Sequence, residues 1–321
     1  MKLHHILSLF LAFFFNHPAK ATTSQVCPDQ RLSETAEDCP WANFTRTALE
    51  RNISLSTILK DTLWPMIQSD SKKLFYKELW GTSLNFDEGE KQIIIQPQIV
   101  KELIQEFDVG PSWNDTSKIM HAGIQHTYGY MLSNLKTSFG YKRARWVQNE
   151  LENGFGLPAG ILGPTPKEGT LFTNVTYFLS NIAFRNEPLL LNTIRDEKGS
   201  SFIPAEFKNY NYKKLKIERL EETVKIENRT VVLRTDIVQF INPAFDSKKN
   251  SAMLVYSYSD SNEKTSKIIS GFPVNASFAQ RLFQEKNLGA SQPIGTRYNA
   301  WIEGITNKNP VLRGSRYKVQ Q

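Results

Sequence analysis

Long apolar runs, thiols and imidazoles are all scarce in this chain of 321 residues. One long apolar run occurs, at the N-terminus, and the remainder has nothing of the roughly 20 residues that a membrane-spanning helix needs. Cysteine occurs twice, as Cys27 and Cys39. Metal binding at that pair would require further ligands nearby, and none is present. There is no Gly-x-Ser-x-Gly nucleophile elbow and no His-Glu-x-x-His zinc helix. Gly154, Gly156 and Gly160 miss the dinucleotide-binding spacing by one residue, and no Gly-Lys-Ser/Thr follows a glycine loop. These absences argue against cofactor, metal and ATPase-type phosphate chemistry. No long basic stripe with interleaved aromatics exists, so a nucleic-acid partner is not expected.

The apolar run itself has the features of a cleavable export signal. Lys2 supplies positive charge, Ile6 to Phe15 is apolar except for Ser8, and Asn16, His17 and Pro18 break the run. Ala19-Lys20-Ala21 then gives the small-x-small pattern of a cleavage site. Residues 1–21 are expected to leave, and residues 22–321 to form a single domain, with a subdivision near 153–169. Export to a periplasm or an extracellular space follows. In that oxidising setting Cys27 and Cys39 are expected to pair and close a short N-terminal loop. A lipoprotein anchor would need a small residue before the cysteine, and Val26 stands there.

Removing Lys2 and Lys20 takes the 39 basic residues to 37 against 32 acidic ones, a balance of +5. That charge favours an anionic small molecule, polymer or surface as partner. At 40% hydrophobic and 12% aromatic, the chain has ample core material. Oligomeric state is not legible. Asn43, Asn52, Asn114, Asn174, Asn228 and Asn275 head Asn-x-Ser/Thr sequons, which would carry glycans in a eukaryotic secretory pathway.

Periodicity points to α+β, with a helical N-terminal half, then a mainly antiparallel sheet and at least one C-terminal helix. Helices are expected at Ser54 to Gln68, Ser71 to Trp80, Ile99 to Phe107 and Tyr141 to Leu151. Another is expected from a cap at Asp115 to Ser117, with Met120, Ile124, Tyr128, Met131 and Leu135 on one face, to Gly140. Leu171 to Phe184 is largely apolar and fits either helix or strand. Thr223 to Ile226 and Val231 to Ile241 flank a turn at Glu227 to Thr230. Ala252 to Ser259 and Ser266 to Val274 form a second hairpin. Asn275 would cap a helix carrying Phe278, Leu282 and Phe283, and Arg297 to Ile305 alternates as a last strand.

Chemistry concentrates in one stretch. His4, His5 and His17 leave with the signal, so the remaining imidazoles are His121 and His126. Imidazole is the usual general base near neutral pH. Five residues apart, the two point about 140° apart on a helix and to opposite faces of a strand, so they cannot grip a metal together. His126, near Ala122, Tyr130 and Ser133, is the preferred base. His121, near Gln125 and Tyr128, is the second. Arg143 and Arg145 could each hold an anionic group, and Tyr128 and Tyr130 could hydrogen-bond a substrate. The plain alternative is ordinary, satisfied histidines and a solvated arginine face. Glu150 and Glu152 could pair for acid–base work on a glycosidic bond, and by default read as surface residues. Residues 153–169, with five glycines and three prolines, read as a long loop. Phe155, Leu157, Ile161 and Leu162 should fold it onto the body, as a cleft wall or as a packed connection.

Two functions follow. One is an exported hydrolase with a histidine general base, acting on an anionic or polymeric substrate. The other is a non-catalytic exported binding module for a cell-wall polymer, a glycan or a host partner.

Overall fold

The structure, a computed structural model, describes residues 48–73, 76, 78–87, 90–107, 120–137, 140–142, 152, 155–158, 160–163, 168–187, 191, 205–240, 252–263, 266–274, 279–282, 284 and 300–301. The expected signal, Cys27, Cys39, Arg143, Arg145, and most of the helix expected at Tyr141 to Leu151 lie outside these residues.

The first elements are α1 (Leu55–Ile58), α2 (Trp64–Ser71), β1 (Thr82–Leu84), β2 (Phe86–Asp87), β3 (Gln92–Ile93) and α3 (Pro97–Phe107). Then come β4 (Met120–His121), α4 (Gly123–Met131), β5 (Lys136–Thr137), β6 (Gly140–Tyr141), α5 (Leu171–Ala183) and α6 (Ala205–Lys208). A 3₁₀ turn at Tyr212–Lys214 leads into β7 (Leu215–Ile226), β8 (Arg229–Phe240), β9 (Ala252–Asp260), β10 (Lys267–Val274) and β11 (Ala300–Trp301). The class is α+β: helices accompany a four-stranded antiparallel sheet of order β10-β9-β8-β7.

Both expected hairpins are present. β7 and β8 pair from Leu215↔Phe240 to Ile226↔Arg229, so the loop shrinks to Glu227-Asn228. Glu227 has φ of 54° and takes the left-handed conformation that this tight reversal requires. In the second hairpin Val255 and Tyr256 lie on β9, and Ile268 and Ile269 on β10, with a bulge between Ile268 and Ser270. Ser261 and Asn262 of the turn are exposed, but Asp260 is buried and bonds to Arg229.

Alternation along β9 sorts its side chains between two cores. Met253 and Val255 join Val238 and Ile268 in the main core. Ala252, Leu254, Tyr256 and Tyr258 join Ile237 and Ile269 in a second core with Ala279 and Leu282 of the helical residues 279–282. This is the period-two consequence of a sheet buried on both faces. Helix α5 lies on the main-core side. A Cβ on Gly271 of β10 would come within 2.5 Å of Leu179 Cδ2, which shows how closely strand and helix approach. α5 is buried all round, its polar Thr173, Asn174, Thr176, Ser180 and Asn181 included. Thr170 caps it by accepting the Thr173 N–H.

Two helical expectations are corrected. The stretch from Ser54 to Gln68 is two helices, α1 and α2, with Pro65 in the first turn of α2, where its missing N–H costs nothing. The helix expected from 117 to 140 covers only Gly123–Met131. Met120 and His121 instead pair with Leu84 and Ser83 of β1, and Lys136–Thr137 pairs with β6. Gly123, at φ of 53°, makes the turn from strand to helix.

The segment before β1 joins the main sheet at its edge. Gly81 N donates to Ile268 O and Ile268 N to Leu79 O, each at 2.7 Å. Phe155, Leu157, Ile161 and Leu162 are buried in the main core, so the glycine- and proline-rich segment does fold onto the body. Among the described residues, no helix is long and apolar enough to cross a membrane. Asn52 and Asn228 are exposed, whereas Asn174 is fully buried and hydrogen-bonded, closing that sequon to a glycan in the native fold.

Candidate functional site

His126 sits on α4 where that helix meets the edge strand β10. It is 1% exposed. Its Nε2 lies 2.9 Å from Ser270 Oγ, a partner 144 residues away, placed by the irregularity in β10. The Trp80 ring lies 5.5 Å and the Tyr130 ring 4.3 Å from the imidazole, centroid to centroid. Trp80 is itself fixed, since its indole N–H donates to Thr176 Oγ1 of α5 at 2.9 Å. The imidazole is therefore walled by aromatic faces and tied to a hydroxyl. On either side of it in sequence, the Gln125 amide and the Thr127 hydroxyl are buried without a hydrogen-bond partner among the described residues.

A histidine nitrogen within hydrogen-bond reach of a serine oxygen is the distance a base needs to activate a nucleophile. Such a pair also needs access for the substrate, and His126 and Ser270 are both buried. Among the described residues, no group of three His, Cys, Asp or Glu could hold a metal ion.

His121 lies on β4, so the two histidines belong to different elements, a strand and the helix that follows it. Tyr130 packs on His126. Tyr128 points elsewhere. Its hydroxyl donates to Asp70 Oδ2 at 2.5 Å, and Asp70 is 0% exposed. Burial first, and then the neighbouring Asp70 charge, push the Tyr128 phenol well above its ordinary value, so it stays protonated. Asp70 Oδ1 accepts from Thr170 Oγ1 at 2.5 Å and from Lys73 Nζ at 2.9 Å, and Lys73 also reaches Thr173 Oγ1 at 2.6 Å. This network joins α2, α4 and the cap of α5.

Sequence reasoning missed three buried groups. Ser270 had no local signal. Asp236, on β8, faces the main core and is 0% exposed. Arg219 binds it with Nε and Nη2, each at 2.9 Å, and Arg185 Nη1 adds a third bond at 2.7 Å. The same arginines donate to Ala183 O and Ile182 O, the free carbonyls at the C-terminus of α5. A charged residue inside the run Thr235 to Val238 was the available signal. Glu152 is the third, and its reading as a surface residue is corrected: it is 1% exposed. Burial pushes its carboxyl up to about 7, against the opposing pull of the N–H groups it accepts.

Comparison with protein families, curated proteins and solved structures gave no match.

Proposed function

We propose that this is an exported, non-catalytic binding protein that holds an anionic polymer or glycan through its basic surface. The observation that carries this reading is the burial of His126 between Trp80, Tyr130 and Ser270. An imidazole in that setting is a satisfied core group. A general base must reach the proton it removes. The net charge of +5 left after residues 1–21 are removed supplies long-range attraction to an anionic partner. The proposal includes export through the cleavable segment 1–21, a Cys27–Cys39 bond, and one domain over 22–321 with its helices ahead of the sheet and a C-terminal helix after it.

The hydrolase reading is retained on one observation, the 2.9 Å contact between His126 Nε2 and Ser270 Oγ. In that case His126 would be the base and Ser270 the nucleophile. Arg143, Arg145 and His121 would then complete the site.

Co-sedimentation with purified cell-wall sacculi, and binding to a soluble anionic polysaccharide, test the first reading. We expect retention that weakens steeply as salt is raised, because screening removes the attraction. Failure to bind either polymer at low salt contradicts it.

A further inference from the structure

Glu152 and Asn174 grip one peptide unit from opposite ends. Glu152 Oε1 accepts from Leu162 N–H at 2.9 Å, and Asn174 Nδ2 donates to Ile161 O at 2.7 Å. Ile161 O and Leu162 N–H belong to the same trans peptide and point in opposite directions. The backbone of Glu152 adds a third tie, since its carbonyl accepts Leu157 N–H at 2.9 Å. Asn174 lies in α5 and also holds Glu168 O at 3.0 Å. Asn174 thus pins this peptide of the glycine- and proline-rich segment to the long buried helix, and Glu152 closes it onto the start of the same segment. Under the pin, the Phe155 ring meets the Phe178 ring of α5 at 5.9 Å, and Tyr210 holds Phe155 O at 2.7 Å.

The pin has an asymmetry. Asn174 is neutral at every ordinary pH, while Glu152 is a carboxyl group 1% exposed to water. α5 carries no charged residue. The described titratable groups on the segments around the pin are Glu168, Tyr177, Glu206, Tyr210, Tyr212, Lys213 and Lys214, and none exerts a charge effect on Glu152. Among the described residues, no cation offsets an ionised Glu152. A buried carboxylate with backbone N–H partners but no counter-ion is costly, and it regains water when the segment lifts.

We propose that Glu152 is a proton-operated latch: protonated, it helps hold Phe155, Leu157, Ile161 and Leu162 against the main core, and ionised, it weakens that hold. Folding raises this carboxyl from 4.5 to about 7, so the closed form binds the proton more tightly than the open one. The stabilisation is therefore complete below about pH 4.5 and is lost as pH rises through about 7. With those two values, the opening equilibrium of the segment rises about tenfold between pH 6 and pH 8.

Hydrogen exchange of the full chain, corrected for the intrinsic pH dependence of exchange, reads that equilibrium at Ile161 and Leu162. We expect the tenfold rise in the wild type and no rise in Glu152→Gln, which keeps an acceptor for Leu162 N–H and cannot ionise. Equal protection at both pH values in the wild type, or the same rise in the variant, overturns the proposal. The wild type alone gives an independent reading, through the NMR shift of the Leu162 amide followed against pH. An inflection near pH 7 supports the latch, and a flat titration from about pH 5.5 to 8.5, the range that brackets the folded value, overturns it.

Discussion

Asp236→Ala is expected to lower the unfolding free energy by about 3–5 kcal/mol, the usual cost of stranding buried charge. Asp236 is fully buried and accepts three charge-assisted bonds from Arg185 and Arg219. Both guanidinium groups also satisfy the last carbonyls of α5, at Ile182 and Ala183. Removing the carboxylate leaves two cations beside each other with their compensation gone, and loosens the end of the helix that backs the sheet. Urea unfolding at neutral pH measures the effect. A loss under about 1 kcal/mol, the range of an exposed ion pair, would mean that the arginines find water easily and that the trio is a surface feature.

Asp70→Ala is expected to cost about 3 kcal/mol for the same physical reason, at a junction of three helices. Asp70 accepts from Tyr128, Thr170 and Lys73. The variant strands the Tyr128 hydroxyl, which is buried, and leaves the Lys73 ammonium facing two threonine hydroxyls at the cap of α5. Asp70→Asn keeps acceptor capacity for the tyrosine and should recover roughly half of the loss. Equal stability of the two variants, measured by the same unfolding assay, would show that the Tyr128 bond contributes nothing.

Local signals were legible, and remote ones were not. The hairpins could be read because alternation and turn chemistry lie within about a dozen residues, but the register between β7 and β8 could not: the turn is two residues, not four, and β7 begins at Leu215, eight residues before the expected arm. The run Leu171 to Phe184 stays open between helix and strand in the sequence, although Leu171, Phe172, Val175, Phe178, Leu179 and Ile182 recur at the helical spacing that the structure shows. The helix around His126 was drawn too long. What shortens it is pairing of Met120 and His121 with Leu84 and Ser83, almost 40 positions earlier. Tertiary pairing overrode a plausible periodic pattern there. Tyr130 was read correctly as a neighbour of His126, since positions four apart share a helix face. Ser270 arrives from the other end of the chain and left no local trace. Glu152 was misread because glutamate is rarely buried without a partner. That rarity is what makes its position informative.

The central claim is that His126 is a structural residue and that the polymer partner is held without being cut. The direct measurement compares wild type with His126→Gln on an anionic polysaccharide, recording binding and polymer chain length together, with circular dichroism confirming that both proteins are folded. The account predicts that both bind with similar affinity and that neither shortens the polymer. Shortening by the wild type and not by His126→Gln would contradict it, and would make His126 and Ser270 the working pair of a hydrolase.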